Sequence, residues 1–372
     1  MRILHVVHAI TRGGGLSNVV MNYYRHIDRE KVQFDFLYFR EVENDFKDEI
    51  ESLGGRCFYM SEPSLSLSFF KERESFFKGH QGEWQILHCH ALFAVSVFAK
   101  TAKKYGVKSV AAHSHSLGYG TGNIIKNIRN FAFVLQAKKL SDIHLACSND
   151  SAQFMFGKTE IDSGGVTIIN NAINCADFLF NRDARSRIRE NLSMDHKTIL
   201  MGHVGGFAYL KNHTFLLDIF SEFQKRHQNA ILLLVGGEGI AAGSTKKAVL
   251  EKVKQADIED RVIFAGLRKD VNDLLSAMDI FVFPSLFEGL GLALIEAQAA
   301  GLQCFASEVV PKEVKITDNL TFLPLEAGAQ EWATNIISSY DKNRSREVNL
   351  KLFEKYDITI TQKELLNIYQ TA

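Results

Sequence analysis

The chain alternates short apolar runs with longer amphipathic stretches, and this rhythm constrains its fold more than any other feature. Seven apolar runs of strand length occur before residue 170, at residues 3–7, 34–39, 56–60, 86–90, 109–113, 143–146 and 166–169. Near-continuous apolar strands separated by helical patterns are typical of parallel sheets that helices cover on both faces. We therefore predict an α/β domain with a doubly wound parallel sheet.

A polar and highly charged stretch, from about residue 174 to 197, interrupts this rhythm before a second series begins. The second series has apolar runs at residues 199–204, 231–235, 262–265, 280–283, 304–306 and 321–323. A chain of 372 residues is long enough for two domains. We predict two Rossmann-like domains that face each other across a cleft, comprising residues 1–175 and 176–356. The C-terminal helix, at about residues 357–372, is expected to pack back on the first domain.

The charge balance and the cysteines narrow the class of protein. Lysine plus arginine and aspartate plus glutamate both number 43, so the formal net charge is zero. Nucleic-acid-binding proteins usually carry a basic excess, so we expect no nucleic-acid partner. The five cysteines are scattered, mostly within apolar runs, and form no C-x-x-C pair. This pattern favours reduced thiols in a cytoplasmic protein.

A glycine-rich loop, Gly13 to Gly15, follows the first predicted strand and precedes an amphipathic helix. Glycines in such a loop let backbone amides approach a charged ligand at the N-terminus of a helix. A tight turn without a ligand is the alternative interpretation. The dinucleotide fingerprint G-x-G-x-x-G needs a glycine where Asn18 stands, which argues against an NAD-dependent enzyme.

Four histidines lie at the ends of two predicted strands: His88 and His90, and His113 and His115. Alternate residues of a strand share a face, so each pair can point in one direction. Three interpretations stay open at this stage. A metal site would need these nitrogens to converge with an acidic or thiol partner. Otherwise the rings are hydrogen-bonded to the backbone, or one of them, with His113 preferred, contacts a reacting substrate.

Two glutamates follow the apolar run at 280–283. Glu288 falls in a predicted strand-to-helix loop, whereas Glu296 falls inside the next, otherwise apolar helix. A carboxylate in such a helix is costly unless it accepts good hydrogen bonds, which the two hydroxyl groups of a ribose would supply. A glutamate on the solvent face of the helix is the alternative interpretation.

The same loop contains Gly289 and Gly291, which leave the amides around residues 290–292 free to hold a diphosphate with the help of the helix dipole. Lys211 opens a helix after the first strand of the second series, where its cation can face the same diphosphate. Taken alone, Lys211 is better explained as an ordinary surface lysine.

Together these motifs resemble the GT-B retaining glycosyltransferases of family 4, a group that includes capsule and exopolysaccharide sugar transferases. The most specific element is the pair Glu288 and Glu296, spaced as E-x7-E. Supporting motifs are the glycines after the first strand, Lys-Asn-His at 211–213, Val-Gly-Gly-Glu-Gly at 235–239 and Phe-Ala-Gly-Leu-Arg-Lys-Asp-Val at 264–271. Ala-Ala-His-Ser-His at 111–115 and Glu-Ala-Gln-Ala-Ala-Gly at 296–301 are most similar to the exopolysaccharide branch.

The resemblance implies a role for each matched position. Glu296 would bind the ribose hydroxyls, and Lys211 would neutralise the diphosphate leaving group. Glu288 would contact hydroxyls of the donor sugar, and His113 would lie near that sugar and the acceptor nucleophile. His113, Glu288 and Lys211 are therefore the predicted catalytic residues. The other predicted donor-binding positions are Gly206, Glu238, Leu267, Arg268, Gly289, Leu290, Gly291 and Leu292, and the acceptor and phosphate loop is formed by Gly14 and Gly15.

The implied reaction moves a sugar, with retention, from a nucleotide diphosphate donor to a glycan or lipid-linked acceptor in surface polysaccharide synthesis. UDP is the expected nucleotide. Neither a metal nor another cofactor is expected, because cationic side chains and helix dipoles take the place of a metal. A basic and apolar stretch at 122–139 predicts peripheral contact with the inner face of the plasma membrane; packing on its own sheet is the alternative.

One position departs from the family pattern. Gly206 stands where members usually carry an arginine that shares the diphosphate with the lysine. This departure leads to the alternative hypothesis of a nucleotide-sugar-binding GT-B protein with weak or no transfer activity.

Overall fold

The computed structural model describes residues 1–12, 14–115, 118, 124–238 and 245–372, and for 124–126 it describes the backbone alone. The chain divides into two compact units. The first comprises Met1–Ala172 and Ile358–Ala372, and the second comprises Ile173–Asp357.

The first unit contains a seven-stranded parallel sheet in the order β3-β2-β1-β4-β5-β6-β7. Its strands are β1 Arg2–Val6, β2 Gln33–Tyr38, β3 Cys57–Tyr59, β4 Ile86–Cys89, β5 Ser109–Ser114, β6 Ile143–Ala146 and β7 Thr167–Ile168. The helices between them are α1 Gly15–His26, α2 Lys47–Ser52, α3 Leu67–Gly79, α4 Ala94–Lys104, α5 Ile124–Leu140, α6 Asn149–Phe156 and α7 Lys158–Asp162.

The second unit contains a six-stranded parallel sheet in the order β10-β9-β8-β11-β12-β13. Its strands are β8 Ile199–Val204, β9 Ala230–Val235, β10 Val262–Gly266, β11 Ile280–Phe283, β12 Gln303–Ser307 and β13 Leu320–Leu323. Its helices are α8 Arg182–Asn191, α9 His213–Gln224, α10 Lys246–Gln255, α11 Val271–Ala277, α12 Leu292–Ala299 and α13 Gly328–Ser339.

Both sheets confirm the predicted doubly wound α/β fold. In each sheet the strand order reverses once, between β1 and β4 in the first unit and between β8 and β11 in the second. Open parallel sheets bind ligands beyond the carboxyl ends of the strands at such a reversal. We therefore expect a ligand-binding site of the second unit to lie at the loops after β8 and β11.

The last helix, α14 (Ile358–Thr371), belongs to the first unit, where it packs against α1. Its buried side chains, spaced at three to four residues, include Thr361, Leu365 and Tyr369. This spacing places them on one face of the helix, and that face packs on the first unit. In the sequence, the 185 residues of the second unit (173–357) separate α14 from the rest of the first unit.

Candidate active site

The loops after β8 and β9 approach each other so closely that position 236 has no room for a side chain. The amide of Gly205 donates to the carbonyl oxygen of Val235 at 2.8 Å, and that of Phe207 donates to Gly237 at 2.9 Å. Gly236 has a φ of 150°, and a Cβ atom there would lie 2.1 Å from the carbonyl oxygen of Gly205. Glycine is therefore required at position 236 by close contact and by backbone conformation.

Gly206 is under no such constraint. A Cβ atom at this position would meet only the carbonyl oxygen of Gly237, at 3.4 Å, which is an ordinary contact distance. Its φ lies outside the left-handed region that favours glycine. The local backbone therefore accepts the arginine of the family pattern, and nothing in the structure explains why glycine stands here.

Lys211 and Glu288, two of the predicted catalytic residues, contact each other directly. The Nζ atom of Lys211 donates to Oε1 of Glu288 at 2.7 Å and lies 4.9 Å from the centre of the Phe283 ring. Both side chains are partly buried, at 25% and 10% exposure, so solvent screens the pair less than it would screen an exposed one.

The lysine is held in place by the residue that follows it. Asn212 adopts the left-handed conformation, with a φ of 55°, and directly precedes α9. Its Nδ2 atom donates to the carbonyl oxygen of Pro284 at 3.1 Å, and the amide of Leu286 donates to Leu210 at 2.8 Å. These two bonds join the loop after β8 to the loop after β11.

The N-terminus of α12 presents unpaired backbone amides next to Glu288 in sequence. Gly291 precedes the helix with a φ of 90°, which favours glycine. The amides from Gly289 to Ala293 donate to no acceptor in the part of the chain that the structure describes. Leu290, between the two glycines, is buried in the core and anchors the loop. The helix dipole and these amides together make this end of α12 favourable for an anion.

Glu296 lies one turn into α12, between the buried Ile295 and Ala297. Burial raises the pKa of its carboxyl group to about 7. Within the described ranges, no hydrogen bond or ion pair reaches this carboxylate. The charged form is therefore poorly satisfied in the ligand-free protein, and hydroxyl donors from a ligand would relieve that cost.

The predicted donor-binding residues Glu238, Leu267 and Arg268 lie just beyond the ends of β9 and β10. The side chain of Leu267 covers Gly237, where an added Cβ atom would lie 2.7 Å from Leu267 Cγ. Arg268 makes a two-pronged ion pair with Asp270, at 2.8 and 2.6 Å. Glu238 is exposed and lies 3.4 Å from Lys246. Among the described residues, neither Arg268 nor Glu238 forms an ion pair with Lys211 or Glu288, so the structure does not bring all predicted donor-binding residues into contact.

In the first unit, Gly14 and Gly15 form a tight turn at the start of α1. The amide of Gly14 donates to the carbonyl oxygen of Thr11 at 3.3 Å, and a Cβ atom on Gly14 would lie 2.7 Å from the Thr11 side chain. A Cβ atom on Gly15 would meet nothing within 4 Å. Gly13 lies outside the described residues.

Five histidines on one face of the first unit's sheet form two hydrogen-bonded rows; they are His5, His88, His90, His113 and His115. In the first row, Nδ1 of His88 lies 2.6 Å from the hydroxyl oxygen of Tyr369, and Nε2 of His88 lies 3.1 Å from Nδ1 of His113. The first row thus runs from α14 to β5.

In the second row, Nε2 of His90 lies 2.9 Å from Nδ1 of His5. Nδ1 of His90 lies 2.9 Å from Nε2 of His115, which follows β5 directly. Burial lowers the pKa of every ring in the two rows, to about 3 for His5 and about 4 for His115. All five rings are therefore neutral near neutral pH.

The arrangement of the rings bears on the three interpretations of these histidines. The rings of His88 and His90 stack with centroids 4.2 Å apart, and those of His113 and His115 stack at 4.1 Å. The ligand atoms of two histidine trios lie within 4.8 Å of one another, but most of these nitrogens already face a neighbouring ring. The hydrogen-bond partners of these rings are mainly other histidines, together with the hydroxyl of Tyr369.

His113 and His115 differ in accessibility. The side chain of His113 is buried, with 3% of the residue exposed, whereas His115 is partly exposed at the carboxyl end of the sheet. Of the two, His115 is the better placed to reach a substrate. Spacing within the sequence could identify neither this difference nor the contribution of Tyr369, which lies 281 residues from its partner His88.

The variant Glu296→Gln is expected to stabilise the ligand-free protein more near pH 8 than near pH 5. Because the folded-state pKa of Glu296 is raised, the stability that its proton provides is present at low pH and is lost as the pH rises through about 7. Glutamine carries no charge at either pH. Thermal unfolding of both proteins at the two pH values measures the difference, with the exposed Glu326→Gln as control. An equal shift in Tm at both pH values would contradict the raised pKa.

Comparison with known proteins identifies the family. A sequence profile described as "Glycosyl transferases group 1" matches residues 198–342. The putative glycosyltransferase EpsF of Bacillus subtilis is 32% identical over 378 aligned positions, which cover 100% of this chain and 97% of EpsF. The capsular polysaccharide biosynthesis glycosyltransferase CapH of Staphylococcus aureus is 23% identical to this chain. The alignment covers 100% of this chain and 99% of CapH.

Among solved structures, HepE of Anabaena in complex with UDP-glucose superposes with a TM-score of 0.80 over 100% of both chains, at 17% sequence identity. At that identity the match shows the fold, which confirms the GT-B expectation. The full-length similarity to EpsF carries the assignment further, and the chain belongs to the group 1 glycosyltransferases, the family 4 enzymes with the GT-B fold.

Proposed function

We propose that the protein is a retaining, metal-independent glycosyltransferase that moves a sugar from a UDP donor to a glycan or lipid-linked acceptor in surface polysaccharide synthesis. The observation that carries the proposal is the Lys211–Glu288 pair beside the unpaired amides of α12, with Glu296 in the same helix. The role of CapH in capsular polysaccharide biosynthesis supports the biosynthetic setting, and the UDP-glucose complex of HepE supports the nucleotide.

In the proposed reaction, the anomeric C–O bond breaks and its electron pair leaves with the β-phosphate of UDP. The acceptor hydroxyl oxygen bonds to the anomeric carbon on the same face, and its proton passes to a phosphate oxygen. Lys211 and the amides at the start of α12 stabilise the negative charge that develops on the diphosphate. Because the diphosphate takes the proton, no protein nucleophile is needed.

The Lys211–Glu288 ion pair has a specific role in this scheme. Without a ligand, the ammonium group and the carboxylate satisfy each other at 2.7 Å. A diphosphate competes for the ammonium group, which leaves the Glu288 carboxylate free to accept hydrogen bonds from hydroxyls of the donor sugar. Binding of the donor therefore exchanges one partner for another at both residues, and neither charge is left unpaired.

The variant Glu288→Gln is expected to lower kcat by about a hundredfold or more, because the amide keeps only one acceptor oxygen for the sugar hydroxyls and has no negative charge to orient Lys211. Release of UDP from a panel of UDP-sugars, with and without a membrane extract as acceptor source, measures the effect. UDP affinity should change much less than kcat. Full turnover by Glu288→Gln would contradict the proposed role.

The alternative, a donor-binding protein with weak transfer, is favoured by Gly206 because an arginine cation is missing there. Gly206→Arg should raise the rate of UDP release by about tenfold, since a second cation stabilises the departing diphosphate. Gly79→Arg is the matched control, because a Cβ atom there also meets no tight contact and the residue lies in the other unit. If the natural chain bound UDP without turnover, and only the Gly206→Arg variant released UDP from a donor, the alternative would be established.

We further propose that α5 contacts the inner face of the plasma membrane from the cytoplasm. Ile128, Phe131 and Leu135 are 65%, 50% and 58% exposed, and their spacing places them along one face of the helix. Val134 and Ala137 are buried against the protein, so α5 carries two apolar faces. Residues 122–123 of the predicted membrane-binding stretch lie outside the described residues. No helix in the described ranges has the length and apolar character needed to cross a membrane.

The double variant Phe131→Ser/Leu135→Ser is expected to weaken binding to vesicles that contain anionic lipid by about tenfold or more, since it removes most of the exposed apolar area. Flotation with vesicles measures the bound fraction. Leu352→Ser is the control, because Leu352 is similarly exposed, at 55%, but lies in the second unit. Equal flotation of all three proteins, or none by the natural chain, would rule out this surface as the contact.

A further inference from the structure

The loop that follows β8 is bordered at its start by a first lysine–glutamate pair, Lys211 and Glu288. A Cβ atom added to Gly205, the first residue of this loop, would lie 3.4 Å from Cδ of Lys211. The aliphatic part of the lysine therefore lies against Gly205, while its Nζ atom donates to the Glu288 carboxylate at 2.7 Å. This end of the loop thus carries the ion pair on which the proposed function relies.

A second lysine–glutamate pair borders the same loop only two residues further along the chain. Phe207 forms an isolated parallel bridge with Glu238, in the loop after β9. The carboxylate of Glu238 lies 3.4 Å from Nζ of Lys246, the first residue of α10. Since two residues of extended chain span about 7 Å at most, both pairs border one short stretch of backbone around Gly206.

Two kinds of contact fix the start of α10 beside this loop. The amide of Thr245, directly before the helix, donates to the carbonyl oxygen of Phe207 at 3.2 Å. Val249 and Val253 on the helix are buried in the same hydrophobic core as Phe207. The backbone that carries Lys246 is therefore held at the loop by the fold, independently of the ion pair with Glu238.

The loops around the predicted diphosphate site lack a net positive charge. Residues 205–212 and 284–291 together contain one lysine, one glutamate and no arginine or aspartate. The diphosphate of a nucleotide sugar carries a negative charge on each phosphate, and more develops as the sugar leaves. A cation from a neighbouring element would therefore stabilise the bound diphosphate, and Lys246 is a cation that the fold holds at this loop.

The charges at the start of α10 also favour an anion nearby. Lys246 and Lys247 both lie in the first turn, which contains no acidic residue. The N-terminus of a helix carries a partial positive charge, so it disfavours two lysines in its first turn. Glu238 offsets only part of this repulsion, because its side chain is 61% exposed and solvent screens the pair.

We propose that Lys246 is a second cation for the diphosphate of the nucleotide-sugar donor, placed at the Phe207 end of the loop as Lys211 is at the Gly205 end. The inference rests on the proposed function, because it requires a diphosphate at the loop after β8. When the donor binds, the ammonium group of Lys246 exchanges the Glu238 carboxylate for a phosphate oxygen, and water solvates the exposed carboxylate. Lys246 thereby supplies positive charge that position 206 lacks.

Calorimetric titration of the full-length protein with UDP and with uridine tests the proposal. Lys246→Met should weaken UDP binding about fivefold, as expected for a partly exposed charge contact, and leave the affinity for uridine unchanged. Lys246→Arg keeps the positive charge and should bind UDP within about twofold of the natural chain. Lys247→Met is the matched control, because Lys247 is the adjacent lysine and its side chain is 90% exposed. Its UDP affinity should equal that of the natural chain.

A charge introduced at position 206 provides a second test. Gly206→Arg/Lys246→Met should bind UDP within about twofold of the natural chain, because the arginine replaces the charge that the lysine loses. A double variant that binds UDP as weakly as Lys246→Met would contradict a diphosphate shared by the two positions.

The outcomes separate this inference from the proposed function. Equal UDP affinities of Lys246→Met and the natural chain, with weaker binding by Lys211→Met, would overturn the role of Lys246 and leave the proposed function intact. Equal losses in Lys246→Met and Lys247→Met would also overturn that role, because they would reflect net charge and not a contact. A lowered affinity for uridine in Lys246→Met would contradict a contact with the diphosphate. No UDP binding by the natural chain would overturn the proposed function together with this inference.

Discussion

The contact between Lys211 and Glu288 is the interaction on which the candidate site depends. It places the Lys211 cation 2.7 Å from the Glu288 carboxylate, and both are predicted catalytic residues. Two further bonds, from Asn212 and Leu286, hold their loops together. Because these loops follow β8 and β11, where the strand order reverses, the charges lie where a parallel sheet leaves room for a ligand.

The site combines groups that are costly to keep without a ligand. The start of α12 exposes unpaired amides, and Glu296 carries a carboxyl group whose pKa burial raises to about 7. Each cost falls when a molecule with a diphosphate and two neighbouring hydroxyls binds, because the anion takes the amides and the hydroxyls take the carboxylate. Binding of such a molecule would therefore offset the unfavourable free energy of keeping these groups without hydrogen-bond partners.

In the first unit, by contrast, the buried histidine side chains of the two rows find hydrogen-bond partners within the protein. The five histidines of these rows are neutral, four of them are buried, and most of their nitrogens face one another or Tyr369. Only His115 reaches the carboxyl end of the sheet with part of its side chain exposed. The first unit thus presents neutral rings, whereas the candidate site of the second unit presents charged groups.

The sequence predicted the doubly wound fold because apolar strands and amphipathic helices differ in period, and it predicted the family from the spacing of Glu288 and Glu296. It could not reveal that Arg268 is engaged by Asp270, since that depends on side-chain placement in a loop. The bond between Tyr369 and His88 was equally inaccessible, because it joins residues far apart in the chain without any repeating pattern.

The most direct test of the central claim is the UDP affinity of Lys211→Met compared with that of the natural chain, measured by calorimetry. If Lys211 and the start of α12 hold the diphosphate, the natural chain binds UDP and Lys211→Met binds it about tenfold or more weakly, since a charge-assisted contact is lost. Affinity for uridine, which lacks the diphosphate, should be the same in both proteins. Equal UDP affinities, or no UDP binding by the natural chain, would contradict the assignment of this site.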